Sequence, residues 1–277
     1  MANENVTNNV TTKRRDVYPS LLLGKGAYGD LVMLPTGNTF MLTRSGHGGA
    51  TFLNGFLTNI ILFNNPKEVC LWVVNDYAAG QLLVPEFAKL PNSKGVMQEY
   101  VNSGNEFDLT DHSVDCIISN IDKFYTNIVS KKAALDTFVA SNGFEALSEE
   151  DKIFYNRYDI LIVNCFNTDS DGMTEVMKSL ERVLRVYMPG SRFSVILTHG
   201  NWAPDAPYKW LFHNFITTWC PRELSEKILG CDLGSSVAKT GEMLFRRAGH
   251  IDVTSFISQY RPDSFIKKVV KAFRVKD

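Results

Sequence analysis

The chain of 277 residues is 44% apolar and 21% charged, and 29 lysines and arginines against 30 aspartates and glutamates leave a formal net charge of -1. That balance excludes a disordered tail and a disulfide miniprotein, and it supplies no global electrostatic pull toward nucleic acid. No stretch reaches the roughly 18 consecutive apolar residues of a membrane helix, and MANENVTNNVTTKRRD has no apolar leader core, so a cytoplasmic protein is expected.

Residues 1–16 are Asn/Thr-rich, end in Lys13-Arg14-Arg15-Asp16, and read as a mobile arm before a single domain over 17–277. From Leu21 the runs LLLGKGAYG, DLVML and TGNTFML read as a hairpin leading into a strand, with Phe40-Met41-Leu42 feeding the glycine-rich turn SGHGG. Thr51 to Leu62 places Phe52, Leu53, Phe56, Leu57, Ile60 and Ile61 at helical spacing, and Val69 to Val74 follows as an apolar strand. Strand, glycine loop, helix, strand is a βαβ unit.

Residues 77–113 show no clear period. Val114, Ile117, Ile118, Ile121, Phe124, Tyr125 and Ile128 then predict one long amphipathic helix to about residue 140. Ile160–Val163 is a buried strand, a helix bears Val176 to Tyr187, and Phe193–Leu197 is a further strand. A short helix near 207–214, a strand near 216–219, a helix over 223–229, the hairpin-like GEMLFRR and a final helix opened by Pro262-Asp263 complete the chain. Strands alternating with helices imply a parallel α/β sheet. The closing IKKVVKAFRVKD is basic, which reads as a solvated helix face.

Cys70, Cys116, Cys165, Cys220 and Cys231 form no C-x-x-C pair and read as free thiols, mostly buried. The five histidines lack metal-ligand spacing, so no metal site is expected.

Two glycine clusters invite a chemical reading. Gly24-Lys25-Gly26-Ala27-Tyr28-Gly29 copies a kinase glycine loop, but no H-R-D or D-F-G segment accompanies it, and a tight hairpin explains it. Thr43-Arg44-Ser45-Gly46-His47-Gly48-Gly49-Ala50-Thr51 lies between strand and helix, where a phosphate-binding loop of the form G-x-x-x-x-G-K-[ST] belongs. Gly49 stands where the phosphate-neutralising lysine should be and Ala50 where the magnesium-binding hydroxyl should be. Thr51 comes one position late, turned about 100° around the helix. Arg44 and His47 are the local cations, most simply surface loop residues.

Taken together, LLLGKGAYGDLVMLPTGNTFMLTRSGHGGATFLNGFLTNIILFNNPKEVCLWVVND resembles the motor domain of the FtsK/SpoIIIE family of translocating ATPases. Phe52-Leu53-Asn54 is similar to the start of that family's P-loop helix, and Asn64-Asn65-Pro66-Lys67-Glu68-Val69 to its turn into the second strand. Asp122 through Leu147 resembles the long helix before the second ATPase motif, and Lys227-Ile228-Leu229 with Gly241-Glu242-Met243-Leu244-Phe245 resembles late segments. The likeness runs from about residue 20 to 275. It implies a RecA-like P-loop NTPase fold: a mainly parallel central sheet flanked by helices, with an N-terminal hairpin.

The resemblance also says which catalytic groups to expect, and they are replaced. The family's second motif ends an apolar strand with Asp-Glu, for magnesium and for the attacking water. Here Tyr158-Asp159-Ile160-Leu161-Ile162-Val163 ends in Asn164-Cys165. The polar sensor after the next strand falls on Gly200, and Asp169 and Asp171 read as a helix-entry turn rather than metal ligands. Losing one charge-stabilising group costs about 100- to 1000-fold, so four losses in one pocket imply no useful turnover. The expected protein is a pseudo-ATPase with a degenerate nucleotide pocket of Gly46, His47, Gly48, Gly49, Ala50, Thr51 and Asn164, needing no cofactor, with ATP and magnesium at most weak ligands. Its implied partners are further copies of itself or an active FtsK-type homologue in a ring or tandem assembly, as in type VII secretion motors. The alternative is a nucleotide-binding ATPase or DNA translocase subunit completed by a neighbour, with Arg222, Arg246 or Arg247 as the arginine offered across the interface. DNA is a partner only by family resemblance.

Overall fold

A computed structural model describes residues 18–44, 46–65, 67–75, 114–166 and 168–273. The N-terminal arm, Ser45 and the aperiodic 77–113 segment lie outside the described residues.

The described strands form one nine-stranded sheet in the order β2-β1-β9-β8-β7-β3-β6-β5-β4. They are β1 (Leu22–Gly26), β2 (Leu31–Met33), β3 (Thr39–Leu42), β4 (Val69–Asn75), β5 (Tyr158–Asn164), β6 (Phe193–His199), β7 (Asn214–Thr217), β8 (Glu242–Arg247) and β9 (Val253–Ser258). From β7 to β4 all pairings are parallel, and β6 lies between β3 and β5. The rest of the sheet is an antiparallel wing: β8 pairs with β7, β9 with β8, β1 with β9 and β2 with β1. The glycine-rich segment 24–29 holds the end of β1 and the turn of the β1–β2 hairpin, which the Gly29 amide closes on the Gly26 carbonyl at 3.0 Å.

Six helices complete the described fold: α1 (Gly49–Phe63), α2 (Val114–Asn142), α3 (Glu149–Asn156), α4 (Ser170–Val186), α5 (Arg222–Leu229) and α6 (Asp263–Phe273). Two apolar layers sandwich the sheet. One holds Met41, Ile160, Ile162 and Ile196 against Phe52, Phe56 and Ile60 of α1 and Ile266 of α6. The other holds Phe40, Leu42, Leu161, Val163, Val195 and Leu197 against α2, α4 and α5. Because side chains alternate along a strand, each parallel strand feeds both layers.

Several sequence boundaries move. The helix expected from Thr51 starts at Gly49, so the two residues in the lysine and hydroxyl places belong to its first turn. The helix near 207–214 is a 3-10 turn over Tyr208–Leu211, and the strand expected at 216–219 runs two residues earlier. The long helix expected to about residue 140 is α2, which stops at Asn142 before Gly143 at φ 80°, so the family likeness through Leu147 runs past its end; α3 and β9 were not expected. Cys70, Cys165 and Cys220 are buried free thiols, but Cys116 is exposed, on the outer face of α2.

One buried ion pair ties α2 to the start of β5. Lys131 Nζ lies 2.8 Å from Asp159 Oδ2 and also donates to the Arg157 carbonyl at 3.0 Å. Trp72 Nε1 donates to Asp159 Oδ1 at 3.2 Å.

Candidate nucleotide site

The C-terminal ends of β3, β6 and β5 converge beneath the first turn of α1. Alternation decides what faces that helix. Met41, Ile196 and Ile162 point to the α1 layer, so Thr43, Thr198 and Asn164, two residues further on, point the same way. These three residues, with Met41, Gly49, Ala50, Phe52, Leu53 and Phe166, line a small cavity of about 10 Å³. That is about the space of one water molecule.

Inside it, the Thr198 hydroxyl donates to Asn164 Oδ1, joining the ends of β6 and β5. The Cys165 amide donates to the Thr198 carbonyl at 3.0 Å. The Cys165 thiol points the other way, fully buried in the layer with Met173 and Val176. Cys165 therefore does not face the cavity, a correction that follows from strand alternation. The polar residue beside Asn164 is likewise Thr198 and not the residue at Gly200, whose amide is held by the Phe166 carbonyl at 3.2 Å.

The loop before α1 is held from the side. Gly46 and Gly48 adopt φ 78° and 85°, and Gly48 caps α1 with no side-chain bond. His47 stacks on Trp219 with centroids 5.0 Å apart and planes 19° from parallel, and the Arg44 guanidinium lies 5.6 Å from the same ring. The Arg44 amide donates to Thr218 Oγ1 at 3.0 Å. Arg44 and His47 thus both engage Trp219, an anchor that the sequence reading missed. Thr51 is not among the residues lining the cavity.

The arginines considered for a neighbouring site have local partners. Arg222 pairs with Glu226 at 2.7 Å, one turn along α5. Arg246 Nε donates to the His250 carbonyl at 2.7 Å, and its Nη1 caps the Leu229 carbonyl at the end of α5. Arg247 ends β8 opposite Asn214. Asp169 caps α4 by accepting from the Gly172 amide at 2.7 Å, and Asp171 sits in the first turn. Among the described residues no three His, Cys, Asp or Glu side chains gather as a metal site.

A parallel β7-β3-β6-β5-β4 core with a glycine loop entering α1 at the strands' C-terminal ends is a RecA-like P-loop ATPase fold. No protein-family model and no curated protein matches the chain. Solved structures do. The cytoplasmic domain of the type VII secretion ATPase EccC from Thermomonospora curvata superposes with a TM-score of 0.67 at 12% identity, over 92% of this chain and 31% of that one. The pCW3 conjugation coupling protein TcpA, solved with ATPγS, gives 0.59 at 14% identity over 93% of this chain and 72% of that one. ATPases 2 and 3 of EssC from Geobacillus thermodenitrificans give 0.58 at 15% identity over 93% and 47%. The chain has the fold of these domains, and spans about a third of the EccC chain and about half of the EssC chain.

Proposed function

We propose that this chain is a catalytically silent FtsK/SpoIIIE-like ATPase domain that serves in the assembly or regulation of a translocation or secretion motor. The observation that carries the reading is the cavity under α1. Gly49 and Ala50 bring neither ammonium nor hydroxyl to it, and Asn164 spends its carbonyl on Thr198 where a working site holds a carboxylate for magnesium. A triphosphate needs cationic neutralisation as well as the helix N-terminus, and the nearby Arg44 and His47 are laid on Trp219. Completion by a neighbour's arginine gains no support from Arg222 and Arg246, each of which has a structural partner in its own chain.

The neighbours support the setting. EccC is described as a type VII secretion ATPase with a cytoplasmic domain, EssC as carrying numbered ATPases, and TcpA as a conjugation coupling protein. We place this chain in the cytoplasm, beside further copies of itself or an active homologue, with DNA as the less favoured cargo. Among the described residues no helix is long and apolar enough to cross a membrane.

Isothermal titration of the full chain with ATP and magnesium tests the reading. The expected result is no heat of binding up to millimolar nucleotide. Micromolar binding overturns it and makes ATP a ligand of this domain.

A further inference from the structure

We infer that Thr43 and Gly49 form a steric interlock that seals the phosphate seat, so that no side chain can return to the lysine position while Thr43 stands. This rests on reading residues 43–50 as a degenerate phosphate-binding loop, as in the proposed function.

Counting the pattern G-x-x-x-x-G-K-[ST] back from Gly48 puts Thr43 in the place of the first glycine. The loop has therefore gained a side chain at one end and lost one at the other. The two changes meet in space. A Cβ built on Gly49 would lie 2.5 Å from Thr43 Cβ, 3.1 Å from its Oγ1 and 3.3 Å from its Cα. Carbon atoms not bonded to each other do not approach to 2.5 Å, for contact begins near 3.5 Å.

No rotamer relieves this contact, because a Cβ is placed by its own backbone rather than by χ1. Relief would require one backbone to retreat, and both are pinned. The Thr43 amide donates to the His199 carbonyl at 2.9 Å, and the next amide, Arg44, donates to Thr218 Oγ1 at 3.0 Å. On the helix side, the Phe52 amide bonds the Gly48 carbonyl at 2.8 Å, and Phe52 and Leu53 are buried in the core.

Only one of the two positions can therefore bear a side chain. A working loop gives it to the helix, as lysine. This chain gives it to the strand, as threonine, and the Thr43 side chain, 4% exposed, closes the cavity down to about 10 Å³. The missing lysine is then not one substitution from repair.

A double-mutant thermal cycle on the full chain tests the interlock without any nucleotide. Gly49→Ala alone is expected to lower Tm by on the order of 5 °C, since overpacking outweighs the better helix propensity of alanine. On a Thr43→Gly background the same change is expected to leave Tm unchanged or raise it. Equal effects of Gly49→Ala on both backgrounds overturn the inference. A second arm compares Gly49→Lys/Ala50→Ser with and without Thr43→Gly, titrated with ATP and magnesium and checked for folding by circular dichroism. Heat is expected only when Thr43 is glycine, and equal binding by both variants overturns the interlock. Binding of ATP by the wild type would instead sink the proposed function, while the thermal cycle still reads the contact.

Discussion

The Thr198 hydroxyl donates to Asn164 Oδ1 across the ends of two adjacent parallel strands, at the place that the proposed function reads as a lost magnesium carboxylate. The bond fastens β6 to β5 at their C-terminal ends.

Restoring the acid there is expected to harm the protein. Asn164→Asp places a carboxylate at a buried position in a cavity lined by no cationic side chain, which raises its folded-state pKa above the unfolded value near 3.9. A carboxylate shifted upward costs stability as pH rises through that value, so the penalty is small at pH 4 and full at pH 7. About 3 kcal/mol is expected at pH 7, two pKa units or so at 1.36 kcal/mol each. Urea titrations of both proteins at the two pH values check it, and magnesium is expected to rescue nothing.

Removing the partner instead is expected to be milder. Thr198→Val keeps the shape and deletes one buried hydrogen bond, a loss of about 1 kcal/mol by urea titration. A loss within error would mean that the bond contributes nothing net.

The Lys131–Asp159 pair makes a stronger prediction. The side chains are 8% and 0% exposed, and burial pulls the Lys131 ammonium below its ordinary pKa while Asp159 pulls it back up. Lys131→Met leaves Asp159 buried with Trp72 Nε1 and the Arg157 guanidinium, 3.7 Å away, as its remaining partners. A cost of about 3 kcal/mol is expected from chemical denaturation, and adding Asp159→Asn is expected to recover part of it. Full additivity of the two changes would contradict the pairing.

His213 predicts a pH dependence. Its Nδ1 accepts the Asn38 amide at 3.2 Å and its ring lies 4.8 Å from that of Tyr187. Burial, and then the Arg247 charge, hold its pKa below the usual 6.5. Above 6.5 both folded and unfolded chains carry a neutral imidazole and the contribution is complete. As pH falls below 6.5 the unfolded chain takes a proton that the folded one resists, so stability falls until the lowered folded value is passed. Between pH 7.5 and 5.5 the wild-type Tm is expected to drop more than that of His213→Gln, and parallel curves would contradict it.

Much of this was legible in the residues. The apolar runs at 69–74, 160–163 and 193–197 and the helical spacing of Phe52 to Ile61 are strong periodic signals, and the structure places strands and α1 there. What stayed hidden depended on contacts between distant segments. Thr43 is inconspicuous in the sequence because only its distance to Gly49 gives it meaning, although counting back from Gly48 reaches it. Thr198 was overlooked in favour of Gly200, yet alternation from Ile196 already turns Thr198 toward α1. Trp219 gave no local signal at all, since its role is to meet a loop some 170 positions away, a separation close to that of the Arg44–Thr218 bond. α3 and β9 are short, although α3 carries a local start signal in Ser148, which accepts from the Asp151 amide at 3.1 Å ahead of an acidic first turn.

The hairpin wing has a consequence for how the chain is made. β1 obtains its outer partner from β2 next door, but its inner partner is β9, with Gly24 opposite Ser258. A ribosome delivers β2 (Leu31–Met33) long before β9 (Val253–Ser258). During synthesis Leu21 and Leu23, both sealed in the finished core, have no Phe256 to lie beside. The nascent hairpin must wait, apolar and half paired, so the last pairing of the wing closes a contact between segments far apart in sequence.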